Sequence, residues 1–421
     1  MSYHNKVKNG CAHHVAAHNS EASKPDMQNI FSEGQRFKPF KHLYPGLFNR
    51  RLNRFLIECT LLNRICYAYL PNPGRLRELL LPGSMIYLIK NSTGKYPYTA
   101  VAVERSGRPV LLHTHVANQA VKWLLAHNAI PGLEDVTIVR SEVAIDHSRF
   151  DFLLEKEGKP FILEVKSCSL FEENIALFPD AVTERGRRHL LELAQKAGQG
   201  IAGGVVFLTG WPQARYFLPD YHNDLNFART LFEIKEDILV KPVAVEWKED
   251  LSLAPCSREL IIPWKLVERE AQDCGSYILI LTLTHDTFIE TGKLGVQLFR
   301  KGYYLYVGSA KKNLNRRISR HLRKRKKFHW HIDYLRDLSD FVSALPVRSH
   351  ESLECRIAKA LEAFAHWEIP GFGSSDCHCR THLFGMKNDP FENPSFIKLI
   401  QYFRIGRLGE QLREHQNNEL P

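Results

Sequence analysis

The sequence predicts a multidomain protein of β and α/β class, in which a small β barrel is followed by two α/β domains. With 421 residues the chain is about two to three times as long as a typical single domain. Short β-rich runs separated by Gly- and Pro-containing turns fill residues 53–113, a pattern typical of a small barrel. Beyond residue 136, strands alternate with helices, which is typical of α/β domains.

The element pattern also predicts where the domains begin and end. Five predicted strands form the barrel, and an amphipathic helix at residues 115–127 follows them. The second domain carries helices at residues 180–196 and 225–233. In chain order the predicted segments are a disordered leader (1–35), the barrel (36–115), the first α/β domain (116–265), a polar linker (266–274), the second α/β domain (275–387) and a helical tail (388–421).

The composition excludes several classes of protein. A hydrophobic fraction of 44% and a charged fraction of 24% exclude wholesale disorder. The longest apolar stretch is far shorter than the roughly 20 residues that span a bilayer, so no membrane partner is expected. The leader lacks the apolar core of a secretory signal, and the nine irregularly spaced cysteines are predicted to be mostly reduced thiols. We therefore expect a cytoplasmic protein.

Two carboxylates and a lysine in the first α/β domain suggest a catalytic centre. Asp151 and Glu164 lie on consecutive predicted strands joined by a turn, so a hairpin can bring them together. Glu164 and Lys166 are two residues apart on one strand and share a face. Carboxylates bind Mg²⁺ or Mn²⁺, and an ammonium group stabilises phosphate charge. The spacing D-x12-E-x-K matches the PD-(D/E)XK nuclease superfamily; the alternative is an ion pair at a sheet surface.

Four further segments give this half of the chain a family resemblance. They are NPGRLRELLLPG (72–83), RSEVAIDHSRFDFLL (140–154), LEVKSCSL (163–170) and FPDAVTERGRRHLLEL (178–193). In this order and spacing they closely resemble the sugar fermentation stimulation protein A family, over about residues 36–265. The resemblance implies an OB-fold barrel followed by a PD-(D/E)XK nuclease-like domain. It also implies Glu142 as a third acidic metal ligand. Arg185 or His189, in the helix beside the site, is expected to contact phosphate; the alternative is that both are merely polar residues of an exposed helix face.

A second set of polar residues lies in the second α/β domain. Its members are a pair of tyrosines on two strands, an arginine and a histidine four apart on a basic helix, and a later glutamate: Tyr277, Tyr306, Arg317, His321 and Glu354. The carboxylate can bind one metal ion, the guanidinium can brace a phosphate, and a phenol or imidazole can accept a proton. These groups are sufficient for hydrolysis.

The surrounding motifs resemble a second nuclease family. GSYIL, GYYLYVGSA, HWHIDYL, ECRIA and GFGSSDCHC, spread over about residues 275–384, resemble the GIY-YIG endonuclease domain in the variant known as domain of unknown function DUF123. The resemblance implies that Tyr277 and Tyr306 are the motif tyrosines, Arg317 the helix arginine and Glu354 the metal ligand. A long TGKLGVQLFRKG insertion separates the two motifs, and no Asn lies between Glu354 and Asn388.

The positive charge of the chain is concentrated in one segment. The net charge is +11, and residues 311–327 contain ten Lys and Arg residues and no acid. The run follows the turn YVGSA and leads into FHWHIDY, so that cations adjoin aromatic side chains, a combination that suits nucleic acid. A solvated helix face is the alternative. The predicted nucleic-acid contacts are Lys311, Lys312, Arg316, Arg320, Arg323, Lys324, Arg325, Lys326 and Lys327.

Cysteine and histidine residues near the end of this domain form a third set. Cys377, Cys379 and His382 occur as C-H-C-x-x-H, downstream of His329 and His331. Zinc binding is one interpretation, because Cys and His are its preferred ligands. The C-x-C spacing is tighter than the usual C-x2-C, so thiols and core histidines without a metal are the other interpretation.

The sequence as a whole predicts a metal-dependent phosphodiester hydrolase that acts on DNA or RNA with Mg²⁺ or Mn²⁺. The expected catalytic residues are Asp151, Glu164, Lys166, Tyr277, Tyr306, Arg317, His321 and Glu354, and the expected metal ligands are Asp151, Glu164, Glu142 and Glu354. No small-molecule cofactor is indicated. The alternative function is a DNA-binding regulator whose nuclease folds are catalytically weak.

Overall fold

A closed barrel begins the described part of the chain. The structure, a computed structural model, describes residues 36–418, so the predicted leader lies outside the described residues. The first sheet contains β1 (Tyr44–Asn53), β2 (Leu56–Leu61), β3 (Arg64–Tyr69), β4 (Met85–Lys90), β5 (Tyr98–Arg105) and β6 (Arg108–Leu111). Because β3 pairs with β5 as well as with β2, strands β1 to β5 close in the order 1-2-3-5-4 of the expected OB fold. The sequence had not predicted β1, since it starts with the turn-like Pro45-Gly46.

A six-stranded mixed sheet forms the centre of the next domain. Helix α1 (Thr114–Ala126) buries an apolar stripe against it. The strands are β7 (Thr137–Ile145), β8 (Ser148–Lys156), β9 (Lys159–Cys168), β12 (Ala202–Thr209), β14 (Leu239–Ala244) and β15 (Arg258–Glu259), in the order β15-β14-β12-β9-β8-β7. A small sheet adds β10 (Leu170–Glu172), β11 (Ile175–Phe178) and β13 (Tyr216–Pro219).

Two helices pack beside this sheet. Helix α2 (Glu184–Gly198) begins four residues later than predicted because the Thr183 side chain accepts a hydrogen bond from Gly186 N–H and caps it. Helix α3 (Leu225–Glu233) spans the predicted residues. One apolar core runs from the barrel, at Ile57 and Leu88, into the α/β domain, at Phe207 and Phe217.

The last domain is built on an antiparallel sheet. Its strands are β16 (Gly275–Leu283), β19 (Gly302–Ala310), β20 (Asp340–Arg348), β21 (Trp367–Glu368) and β22 (Leu383–Met386), in the order β20-β16-β19-β22-β21. The insertion between the two tyrosine motifs supplies the turn and the second strand of a separate hairpin, in which β17 (Thr287–Glu290) pairs with β18 (Val296–Phe299). The helices are α5 (Leu314–Leu322), α6 (His331–Leu338) and α7 (Glu354–Leu361). Apolar cores lie on both faces of the sheet.

The predicted linker and tail are packed helical segments. Residues 266–274 include most of helix α4 (Trp264–Glu270), and its Leu266 and Val267 are buried. The tail forms α8 (Pro394–Gln401), a π-helical turn (Tyr402–Gly406) and α9 (Arg407–Asn418). Ile405 and Leu408 from the tail share an apolar core with Leu266 and Val267, so the linker is held between the tail and the first α/β domain.

The predicted fold class, a barrel followed by two α/β domains, is confirmed. Among residues 36–418, no helix is long and apolar enough to cross a membrane.

Candidate functional site

A cavity of about 400 Å³ lies between the barrel, α1 and the mixed sheet. The barrel contributes Arg54 and the loop Asn72–Pro73–Gly74, and α1 contributes Asn118. The sheet contributes all three residues of the predicted first centre, Asp151, Glu164 and Lys166. The structure therefore brings this set together, in a cavity that two domains share.

Strand pairing places the two carboxylates side by side. The register that pairs Phe152 with Leu163 brings Asp151 next to Glu164, where the ladder between β8 and β9 ends. Asp151 is held by two donors: Nδ2 of Asn118 lies 2.5 Å from Oδ1, and the Val165 N–H lies 2.7 Å from Oδ2. Asn118 escaped the sequence analysis because nothing in the pattern of α1 distinguishes it from a solvated helix residue.

Glu164 is fixed at one oxygen and free at the other. Its Oε1 accepts hydrogen bonds from Lys166 and from Nδ1 of His189, the latter at 2.7 Å. Arg185 Nε–H donates to His189 Nε2 at 3.3 Å, so the proton of a neutral His189 is on Nδ1 and points at Glu164. The second oxygen, Oε2, is buried and has no hydrogen-bond partner among the described residues.

The two carboxyl groups differ in acidity. Burial and the nearby Glu164 charge raise the pKa of Asp151 to about 6, despite its backbone and side-chain hydrogen bonds. Burial also acts to raise the pKa of Glu164, but hydrogen bonds from His189 and the charge of Lys166 outweigh it and lower that pKa. Glu164 is therefore the more readily ionised of the pair.

Glu142 and His189 occupy positions that the sequence did not foresee. Glu142 forms an ion pair with Arg149 at 3.1 Å, with both side chains about two-thirds exposed, and is not among the residues that line the cavity. Its φ of +54° is a left-handed backbone conformation within β7. His189 is buried and bonded to Glu164, whereas Arg185 lines the cavity, so of these two residues Arg185 is the one that faces the cavity.

A second cavity, of about 230 Å³, gathers the residues of the last domain. Tyr277, Tyr306, Arg317 and Glu354 all line it. Glu354 accepts a hydrogen bond from Ser309 Oγ, and Arg317 donates to the Ser309 carbonyl at 3.0 Å. His329 and His331 also line this cavity, and neither belongs to the cysteine cluster with which the sequence grouped them.

His321 lies behind the cavity and contacts Tyr277. The Tyr277 hydroxyl is 2.9 Å from its Nε2, and Asp333 is 3.8 Å from its Nδ1. Burial lowers the pKa of His321, which keeps the ring neutral at pH 7. Burial raises the pKa of Tyr277 well above its ordinary value, so the phenol is protonated and donates to His321.

The basic segment is divided between internal pairs and an exposed surface. Arg320 and Lys326 pair with the buried Asp333 at 3.0 and 2.8 Å, and Arg317 lies inside the second cavity. Burial opposes ionisation of Asp333, but hydrogen bonds from its partners hold the pKa of Asp333 well below its ordinary value. The predicted contacts that remain exposed are Lys311, Lys312, Arg316, Arg323, Lys324, Arg325 and Lys327, of which Lys324 lies 3.6 Å from Asp340.

Comparison with known proteins follows the same division of the chain. The sugar fermentation stimulation protein RE domain matches residues 115–250, its N-terminal OB domain matches residues 50–112, and domain of unknown function DUF123 matches residues 276–404. A sugar fermentation stimulation protein homolog of Methanothermobacter thermautotrophicus is 34% identical over 224 residues, which cover 52% of this chain and 93% of the relative. The chain belongs to the sugar fermentation stimulation protein family.

Further relatives agree with this assignment. A homolog from Clostridium botulinum is 35% identical over 212 residues, covering 49% of this chain and 92% of the relative. The structure of Pyrococcus furiosus SfsA in complex with Ca²⁺ covers 53% of this chain and 96% of that protein, with 29% identity and a TM-score of 0.50. Both resemblances inferred from the sequence, to the sugar fermentation stimulation family and to DUF123, are confirmed.

In this member of the sugar fermentation stimulation protein family, the cysteine cluster gains a residue that the sequence analysis missed. Cys377, Cys379 and His382 lie together with Cys355, and the four potential ligand atoms are all within 4.8 Å of one another. Cys355 is 22 residues upstream of Cys377, and its position directly after Glu354 is the one sequence feature that links it to the site.

Proposed function

We propose that this protein is a divalent-cation-dependent phosphodiester hydrolase that acts on nucleic acid, with its main centre in the cavity of Asp151, Glu164 and Lys166. The observation that supports this most is the buried Oε2 of Glu164, which has no hydrogen-bond partner among the described residues and lies beside a second carboxylate. A buried carboxylate oxygen without a partner is costly. Mg²⁺ or Mn²⁺ held by Asp151 and Glu164 would satisfy it.

Each residue of the cavity has a distinct role in this proposal. The cation, when bound, would neutralise phosphate charge and acidify water. Asn118 and the Val165 N–H hold Asp151, while Arg185 and His189 hold Glu164. Lys166 supplies a positive charge for the phosphate. The Pyrococcus furiosus relative was determined in complex with Ca²⁺, which supports cation binding in the family.

The barrel offers a path for nucleic acid to this cavity. Phe55 and Tyr69 are stacked, with ring centroids 6.2 Å apart, and are 42% and 40% exposed. The Arg54 guanidinium lies 5.6 Å from the Phe55 ring, and Arg54 also lines the cavity. Exposed aromatic rings stack on bases, and neighbouring cations bind the backbone. A strand that stacks on Phe55 and Tyr69 would lead its phosphates towards Asp151.

The second cavity supports a second hydrolytic centre. Arg317 would brace a phosphate, Glu354 would hold a cation, and the Tyr277 hydroxyl, bonded to neutral His321, can relay a proton. The exposed part of the basic segment would bind the phosphate backbone nearby. The observation that favours this function is that four of the five predicted residues line one cavity. The fifth, His321, lies behind the cavity and is hydrogen-bonded to Tyr277.

Cleavage assays with matched variants test both centres. Plasmid DNA, single-stranded DNA and RNA are incubated with Mg²⁺ or Mn²⁺ and wild type, Asp151→Asn, Glu354→Gln or the double variant. Glu155→Gln, an exposed acid on β8, is the control and is expected to behave like wild type. We expect each single variant to lose cleavage from its own centre and the double variant to lose all of it. Undiminished cleavage by the double variant would overturn the proposal.

The alternative is a DNA-binding regulator, which the exposed cations and the aromatic face of the barrel also support. It predicts affinity that falls steeply with salt, without product under any divalent ion. Binding and cleavage measured on the same samples distinguish the two. Binding by Tyr69→Ala, compared with Tyr96→Ala in a loop of the same barrel, tests the proposed stacking surface under either function.

A further inference from the structure

Three thiols and one imidazole converge beside the second cavity. Cys355 lies in the first turn of α7, Cys377 and Cys379 lie in the loop before β22, and His382 immediately precedes that strand. Their Sγ and Nε2 or Nδ1 atoms all lie within 4.8 Å of one another. Sγ of Cys377 is 3.5 Å from Nε2 of His382.

This spacing is close to that of a tetrahedral metal site. Zn–S bonds of about 2.3 Å place two tetrahedral ligand atoms about 3.8 Å apart, so only a small contraction would complete the site. A donor set of three thiolates and one imidazole is one of the closed structural zinc sets. A disulfide would use two of the three thiols and leave the third unexplained, and all three are free in the structure.

The other nitrogen of His382 connects this cluster to the second cavity. His382 is buried, and its Nδ1 has no hydrogen-bond partner within residues 36–418 but lies 3.2 Å from Oε1 of Glu354. Histidines that bind zinc through one nitrogen commonly direct the other N–H towards a carboxylate. A metal on Nε2 would place the remaining proton on Nδ1, where it can bond to Glu354.

We propose that Cys355, Cys377, Cys379 and His382 bind one Zn²⁺, which ties the loop before β22 to α7 and orients Glu354 through His382. The site is structural, because its four protein ligands leave no position for a substrate. His382 is a positioning residue in this scheme. This proposal does not depend on the proposed hydrolase activity. None of the four ligands is a proposed catalytic residue, and zinc content is measured without an activity assay.

Metal analysis of the full chain, purified under reducing conditions without a metal-affinity step, tests the site. We expect about one zinc per chain in wild type and loss of stoichiometric zinc in Cys377→Ser and Cys379→Ser. Cys256→Ser is the matched control, because Cys256 is an exposed free thiol outside the cluster, and it is expected to keep its zinc. Wild type without stoichiometric zinc, or Cys379→Ser with undiminished zinc, would overturn the proposal.

Two further measurements remain decisive if a serine variant fails to fold. Replacement of zinc by Co²⁺ in wild type and in Cys256→Ser should give the absorption of tetrahedral cobalt with thiolate ligands. A spectrum without thiolate bands contradicts the site. His382→Cys should keep a four-ligand zinc site but lose the contact to Glu354, so zinc content stays at one per chain. In folded His382→Ala, which removes the proposed fourth ligand, the affinity for zinc should fall, and an affinity equal to that of wild type would overturn His382 as a ligand.

Discussion

At the scale of single residues, Asp151 is a carboxyl group whose charged form the fold destabilises. Its carboxyl group lies beside Glu164 in a cavity, and burial together with that neighbouring charge raises its pKa to about 6. At neutral pH the chain therefore keeps two adjacent carboxylates ionised at a cost in stability. Pairs of titratable groups whose pKa values are displaced in this way are typical of catalytic centres.

Asp151→Asn is accordingly expected to stabilise the protein at neutral pH. The folded-state pKa of about 6 lies above the ordinary 3.8, so the native state binds a proton first and wild type gains stability as pH falls from about 6 towards 3.8. Asn at position 151 carries no charge, and its side-chain N–H can donate to the Asn118 carbonyl oxygen if the Asn118 amide is flipped. In urea denaturation at pH 7.5, the free energy of unfolding of Asp151→Asn should exceed that of wild type by roughly 1–3 kcal/mol. This difference should disappear near pH 4. Glu155→Gln is the control, and a gain that does not change with pH contradicts the assignment.

The sequence predicted the three central residues of this site, but not the neighbouring side chains that hold them by hydrogen bonds. Strand periodicity placed Glu164 and Lys166 on one face, and the hairpin brought in Asp151, because these relations are local. The contacts from Asn118 and His189 depend on how α1 and α2 pack on the sheet, which no local pattern encodes. Glu142 was expected at the metal from the family resemblance alone, but it pairs with Arg149 at the surface and does not line the cavity.

At the scale of elements, the pairing of β16 with β19 shapes the second cavity. Tyr277 lies opposite Gly308, and its hydroxyl occupies the space that a side chain at Gly308 would fill. A Cβ at position 308 would lie 2.4 Å from the Tyr277 hydroxyl oxygen. Gly308, two residues after Tyr306, therefore has to be glycine because the Tyr277 side chain fills the space beside it.

Gly308→Ala is expected to displace Tyr277 from His321 and destabilise the fold. Overpacking of this kind costs about 1–3 kcal/mol, measured as a lower free energy of unfolding in urea. The matched control is Gly198→Ala at the end of α2, where a Cβ meets nothing within 4 Å and no loss is expected. Equal stability of the two variants would show that Tyr277 is not confined as described.

The basic segment shows where element prediction from sequence fails. Its charge pattern predicted a helix along residues 311–327, yet α5 ends at Leu322. A continuous helix would stack like charges on adjacent turns, which is unfavourable. Beyond the end of α5, Lys326 pairs with the buried Asp333, as does Arg320 from the helix itself.

At the scale of the whole molecule, His222 joins the family-typical half of the chain to the last domain. It lies between β13 and α3, and both its ring nitrogens bond to the C-terminal part. Nε2–H donates to the Arg404 carbonyl and Nδ1 accepts from the Arg348 N–H, each at 2.9 Å. The ring must be neutral for both bonds to form. The sequence predicted only a linker between these halves, because bonds between residues more than 100 positions apart leave no local pattern.

The stability of the joined halves is therefore expected to fall with acid. Burial, followed by the charges of Arg404 and Arg407, lowers the pKa of His222 well below its ordinary 6.5. The unfolded chain gains a proton as pH falls below about 6.5 while the native ring does not, so unfolding becomes more favourable. His222→Gln should be less stable than wild type at pH 7.5 but lose less stability towards pH 5.5, the slopes differing by up to about 1.4 kcal/mol per pH unit.

Urea denaturation at several pH values measures how the free energy of unfolding changes with pH. Asp151 is present in both wild type and His222→Gln, so its opposite contribution cancels when the two slopes are subtracted. His147→Gln is the control, because His147 is exposed and should leave the wild-type slope unchanged. If His222→Gln kept the full wild-type slope, the loss of stability in acid would not come from protonation of His222 in the unfolded chain. A shallower slope with a single unfolding transition would mean that the C-terminal domain and the domain of the first cavity unfold together, since His222 contributes only where both are folded.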